Sequence, residues 1–153
     1  MKKHDPFRQG VYKPVNRHKF VGNKNPRYLS SWELKFFRWC DHNNNVVKWG
    51  SESIVIPYKS PLDGRIHRYM VDNIVHIKEG DKLEKYLIEI KPKRQTKPPV
   101  EHGNKKPTTI LYEKQQYAVN MSKWESAKGW CKKYGYKFLI LTEEQLFPRK
   151  FNK

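Results

Sequence analysis

Cysteine is nearly absent: Cys40 and Cys131 are the two present in 153 residues. Each sits among apolar residues in a helix-like segment. That excludes a disulfide scaffold and fits a pair of buried thiols in a reducing compartment. Long apolar runs are missing as well. No stretch approaches the roughly 20 residues a bilayer crossing needs. The lysines at the start are not followed by a hydrophobic segment, so neither a membrane span nor a signal peptide is expected. Glycine is sparse, and no glycine loop of the phosphate-cradling type occurs, so a nucleotide cofactor is not expected. The six histidines are scattered and offer no usual zinc-ligand spacing. Acidic residues are also scarce: 15 Asp and Glu stand against 32 Lys and Arg, a formal charge of +17. Such an excess repels itself in the folded state and attracts polyanions. Simple solubility would need far less. With no basic amphipathic helix to suggest a membrane surface, nucleic acid is the leading partner.

What is present suggests one domain between two basic extensions. Residues 1–28 carry Lys2, Lys3, Arg8, Lys13, Arg17, Lys19, Lys24 and Arg27 against a single acid, Asp5, and are interrupted by Pro6, Pro14 and Pro26. They read as a basic N-terminal arm that orders on DNA or on a protein partner. Its aromatics Phe7, Tyr12, Phe20 and Tyr28 either stack on bases or, more commonly, pack back onto the domain. The domain spans 29–147, and 148–153 is a basic tail. Within the domain, 31–42 reads as a helix with Trp32, Phe36, Trp39 and Cys40 on one face and a Ser30/Glu33 capping-box pattern at its start. Val46–Trp49 and Ser53–Tyr58 are short strands. Ile66–Ile77 and Leu83–Lys91 are the best strands, joined through residues 78–82. Residues 92–109 form a basic, proline-containing loop, and 110–121 looks helical. Ser122 starts a second helix with Trp124, Ala127, Cys131 and Tyr134 as its apolar stripe and Gly135 as its stop. Lys137–Leu141 is a buried strand, and Thr142 caps a last short helix through Leu146. This order predicts an α/β fold: a mixed β-sheet flanked by helices, with at least one parallel strand pair.

The chemistry resides in one spatial coincidence. If Gly80-Asp81 is a two-residue hairpin loop, antiparallel partners have numbers summing to 161, and Asp72 stands opposite Glu89. Lys91, two residues on, joins the same face, while Ile88 and Ile90 point the other way. Directly paired side chains lie about 5 Å apart, and at an effective dielectric near 20 two such charges repel by roughly 3 kcal/mol. A half-buried sheet face keeps that pair only if one acid is protonated or a cation sits between them. A few carboxylates with positions left for water and phosphate suit Mg²⁺, with Mn²⁺ as a substitute. Lys91 would then face the scissile phosphate or the attacking water, and the whole reads as phosphodiester hydrolysis. Lys93, Arg94, Lys97, Lys105 and Lys106 follow the active strand and are placed to grip phosphates of double-stranded DNA. Gln115, Gln116 and Lys123 on the following helices either contact DNA or form a solvated face. Glu52 is read as a solvated charge more than as another acid near the metal.

Asp72 followed by Glu89-Ile90-Lys91 resembles the PD-(D/E)XK nuclease signature, with Val71 where the pattern's proline would stand. Glu33 resembles the helical acid of the TnsA-type transposon endonucleases. Asn120, Lys123, Trp124 and Ala127, then Phe138-Leu139-Ile140-Leu141-Thr142-Glu143, are similar to that same branch. Over about residues 29–147 the chain also resembles the head completion nucleases of T-even-type bacteriophages. This resemblance implies a restriction-endonuclease-like fold, with Asp72 and Glu89 as metal ligands, Lys91 as the catalytic lysine and Glu33 as a further ligand or base. A capping role explains Glu33 equally well. The resemblance further implies a metal-dependent nuclease that processes packaged DNA ends before tail attachment, in the infected cell's cytoplasm or on the virion. Its partners would be head, portal or neck proteins. Two rival readings stay open: a nonenzymatic basic DNA-binding structural protein of the head–neck, and an RNA-binding accessory protein.

Overall fold

A computed structural model describes residues 8–147; the outermost residues of the arm and the tail 148–153 lie outside this range. Its centre is a four-stranded sheet in the order β3 (Val46–Ser51), β6 (Asn73–Glu79), β7 (Lys82–Ile90), β8 (Lys137–Leu141). β3, β6 and β7 are antiparallel neighbours, whereas β7 and β8 are parallel. The crossover between those two is α2 (Pro107–Tyr134). α1 (Ser31–His42) covers one face of the sheet, and α3 (Glu143–Leu146) follows β8. A separate two-stranded ribbon, β4 (Val55–Lys59) with β5 (Ile66–Met70), packs on α2. The pair β1 (Gly10–Val11) and β2 (Arg27–Tyr28) precedes α1.

Period-two alternation sorts the sheet's side chains into two cores. Val75 and Ile88 join Tyr28, Leu34, Phe36, Phe37, Cys40, Val46 and Trp49 on the α1 side. Ile74 and Leu87 join Ile56, Tyr58, Tyr69, Val71, Val119, Trp124, Ala127 and Cys131 on the α2 side. Each large side chain removed from water, such as Trp49 or Phe37, contributes about 1.5–3 kcal/mol. The α/β class, the parallel pair, the Ser30 cap on α1 and the capping box at Thr142 agree with the sequence reading. Gly135 closes α2 in the left-handed region, as expected of a helix stop.

Four expectations need correction. Residues 110–134 are one helix, not two: Ser122 caps nothing and instead donates its hydroxyl to the Lys59 carbonyl. Ile66–Ile77 is not one strand, because β5 and β6 belong to different sheets and the chain changes partners at Val71-Asp72. β8 is half-exposed rather than buried, and Trp39 and Tyr134 stand out from the apolar faces assigned to them. Residues 8–28 are not a loose arm. Asp41, fully buried on α1, accepts hydrogen bonds from the Tyr12 hydroxyl and the amides of Val15 and Asn16. Buried Lys19 donates to the carbonyls of Asp41 and Asn43. Tyr12, Phe20 and Tyr28 pack into the α1-side core, the commoner of the outcomes weighed for them.

Candidate active site

The β6–β7 ladder has the anticipated register. Glu79 pairs with Lys82 across a two-residue turn in which Gly80 has φ +63°, and the ladder runs to Asn73 opposite Ile88, each pair summing to 161. Ile88 and Ile90 face the α1-side core. Glu89 therefore faces the α2 side, where it is 4% exposed and accepts a hydrogen bond from the Tyr69 hydroxyl. Burial pushes its carboxyl up to about 7; Lys91 and Lys123 oppose that shift and Glu33 adds to it.

Asp72 stands one residue outside the Asn73–Ile88 pair, immediately before β6 begins. Its backbone carbonyl still accepts from the Glu52 amide, continuing the β3–β6 pairing. On the other side the ladder is broken, because Val71 turns its amide to Ile54 of the ribbon. The Ile90 amide, deprived of a backbone acceptor, donates to the Asp72 carboxylate at 2.8 Å instead. The side chain thus repairs the strand switch and is fixed by it. Burial pushes the Asp72 carboxyl up to about 6, against the Ile90 amide and the charges of Lys91 and Lys123; Glu52 reinforces the rise. Glu52 itself is exposed and has φ +52°, unusual for a residue with a side chain.

Glu33, in the first turn of α1, accepts from the Leu29 amide at 2.6 Å, so it does take part in capping. It also belongs electrostatically to the site. Its carboxyl is pushed up to about 7, first by burial, then by Asp72 and Glu52, against the Leu29 bond and Lys91. Lys91 is half-buried and acts on all three of these carboxylates. Lys123, expected only as a DNA contact, lies inside this cluster. Its ammonium sits 5.5 Å from the Tyr69 ring and 5.6 Å from the Tyr58 ring. Burial and the charge of Lys91 lower its pKa, against the pull of Glu89 and Asp72. Sequence reading missed Tyr69 altogether. It also missed Asn73, fully buried next to Asp72, whose amide atoms have no hydrogen-bond partner among the described residues.

A divalent cation fits this cluster by donor chemistry. Buried Glu89 and half-buried Glu33 and Asp72 are oxygen donors, and none of them is in an ion pair among the described residues. No three acidic, histidine or cysteine side chains there are already gathered as a ligand shell. Mg²⁺ does not require one, since it commonly binds through one or two carboxylates and completes its octahedron with water and phosphate.

The expected DNA-binding residues divide. Arg94, Lys97, Lys106 and Gln116 are exposed, as is Gln115. Lys93 is exposed but tied to Glu144, at 2.5 Å, with its amide on Glu143. Lys105 is half-buried and bound to Glu113 and the Val100 carbonyl, which makes it a brace of its own loop.

A family model, TnsA-like endonuclease N terminal, matches residues 43–143. This span includes Asp72, Glu89, Lys91 and Lys123, while Glu33 precedes it. A head completion nuclease of Enterobacteria phage T4 is 38% identical over 141 residues, covering 90% of this chain and 92% of that protein. The mixed sheet with flanking helices is consistent with the family match, and the chain belongs to the TnsA-like endonuclease family.

Proposed function

We propose that this chain is a Mg²⁺-dependent DNA nuclease, able to use Mn²⁺, that processes packaged DNA ends at the phage head before tail attachment and docks there on head, portal or neck proteins. One observation carries the reading: buried Glu89 and half-buried Glu33 and Asp72 interact electrostatically with one another and with Lys91, with burial raising each carboxyl toward neutrality. Like charges gathered in this way cost stability in an empty protein and are offset when a cation and a phosphate arrive. The T4 relative's name supports the setting in head completion.

Asp72 and Glu89, with Glu33, would hold the metal. When bound, Mg²⁺ supplies phosphate polarisation and lowers the pKa of coordinated water. The chain's own groups do the remainder. The Ile90 amide fixes one oxygen of Asp72 and Tyr69 fixes Glu89, so both carboxylates are oriented beforehand. Lys91 places a positive charge where the scissile phosphate gains negative charge, and Lys123 adds a second from α2. The exposed Arg94, Lys97 and Lys106 hold the flanking phosphates.

Digestion of supercoiled and linear DNA with Mg²⁺ tests this. Wild type cleaves and EDTA abolishes cleavage, while Lys91→Ala and Glu89→Ala each lose about a hundredfold or more in rate. No cleavage by wild type at any Mg²⁺ or Mn²⁺ concentration would sink the proposal and leave the nonenzymatic head–neck role.

A further inference from the structure

The β4–β5 ribbon has two unlike faces. Ile56, Tyr58 and Tyr69 point inward to α2 and help form the core and the seat of Lys123. The pairs Pro57–Arg68 and Lys59–Ile66 point outward with Met70. On that outer face Ile66 is 69% exposed and Met70 50%, and Lys59 and Arg68 are exposed, as is Arg65 at the turn. None of Lys59, Arg65 and Arg68 is in an ion pair among the described residues. In the loop after β7, by comparison, Lys93 and Lys105 are held by glutamates, while Arg94, Lys97 and Lys106 are in no ion pair among the described residues. The one acid at the ribbon's tip, Asp63, is engaged by His67 and the Arg65 amide.

We infer that this outer face is a second DNA-contact surface, a rigid ribbon laid along the duplex beside the scissile phosphate. It rests on the nuclease reading for its ligand. Three observations carry it. Its cations are unspent, so they are free to displace counterions from phosphates. Four residues of extended chain separate Arg68 from Asp72, at most about 13 Å, which is within a few base steps of the acid cluster. The inner face grips Lys123 at the cluster, so the ribbon cannot move independently of the site it serves. Ile66 lies between the cations and Met70 next to Arg68 on the same face, where apolar side chains can pack on sugars or press against a groove.

Binding of a 20-bp duplex in EDTA, across a salt series, tests this without requiring cleavage. Arg65→Gln/Arg68→Gln is compared with Lys78→Gln/Lys82→Gln. The second pair removes equal charge at the far end of the central sheet, roughly 20 Å from Asp72 along β6. The ribbon variant binds about tenfold more weakly at near-physiological salt, and its log–log salt slope is shallower by roughly 2. The far-end variant keeps the wild-type slope, and Arg65→Lys/Arg68→Lys restores most of the loss. Equal weakening by both glutamine pairs would overturn the inference, as would no weakening by the ribbon pair. So would an Ile66→Ser variant that changes oligomeric state at unchanged duplex affinity. Wild type that binds duplex steeply but never cleaves would refute the nuclease reading and leave the ribbon's role standing.

Discussion

Glu89 sits in a place that folding alone would give to an apolar residue. It is inside a strand, 4% exposed, with one hydroxyl as its hydrogen-bond partner and no cation in ion-pair contact among the described residues. Burial raises its carboxyl from 4.5 to about 7, so between those values the folded state binds a proton that the unfolded chain does not. Stability of the metal-free protein therefore falls as pH rises through that window and is flat above it. At pH 8 the ionised group costs about 3 kcal/mol, and Glu89→Gln, which still accepts from Tyr69, recovers much of this while abolishing cleavage. Urea titrations at pH 8 and pH 5 check the prediction, since the gain must shrink at the lower pH. The same protonation opposes metal. Apparent Mg²⁺ affinity should rise from pH 5.5 to 8, by up to about tenfold per unit for each proton released, as Asp72 near 6 and Glu33 and Glu89 near 7 ionise. Half-saturating Mg²⁺ that stays constant over that range would contradict it. Tyr69→Phe keeps the ring in the core but frees Glu89 to rotate. Its signature is a higher Mg²⁺ requirement and a lower kcat with duplex affinity unchanged; a purely structural tyrosine would alter the unfolding midpoint alone.

Among the elements, what the sequence made legible was local and periodic. The Gly80-Asp81 turn fixed the register, the register fixed which side Glu89 faces, and Ser30 and Thr142 announced helix starts through their own hydroxyls. What it hid was long-range. Met70-Val71-Asp72-Asn73 carries no proline or glycine, so nothing local marks the chain's change of sheet. The switch depends on Ile54 as acceptor for Val71 and on the Asp72 carboxylate for Ile90. Ser122 and Glu125 imitate a cap inside α2, yet no stop precedes them. The segment 8–28 looked unstructured because its order lacks periodicity and comes from hydrogen bonds converging on Asp41, a residue read only as part of a helix. Asp41→Ala leaves two part-buried backbone amides and a tyrosine hydroxyl without their acceptor, a loss of about 3 kcal/mol. It should also release the segment. Limited proteolysis would then cut between residues 8 and 28 in the variant while wild type resists, and equal resistance would show that the anchor lies elsewhere.

Across the whole molecule, cations outnumber acids by 32 to 15. Glu84, Glu101, Glu113 and Glu144 are each in an ion pair with a lysine, although exposed Glu52, Asp81 and Glu125 show that not every surface acid is. Glu33, Asp72 and Glu89 are not, although Lys91 acts on all three. What sets these three apart is that they are at least half-buried beside Lys91, which fits the cation site proposed above. The same excess bears on the other half of the proposal, because Arg94, Lys97, Lys106 and the ribbon's Lys59, Arg65 and Arg68 are exposed and in no ion pair among the described residues, so an external polyanion can neutralise them. If that partner is duplex DNA, six such contacts release enough counterions to weaken binding by about a thousandfold between 50 and 200 mM salt. No recognition helix is presented among the described residues, so the affinity should be nearly independent of sequence. Fluorescence anisotropy with two unrelated duplexes in EDTA reads both quantities. A shallow salt response, or a large difference between the duplexes, would mean that the surplus charge serves another purpose than holding DNA over the acids.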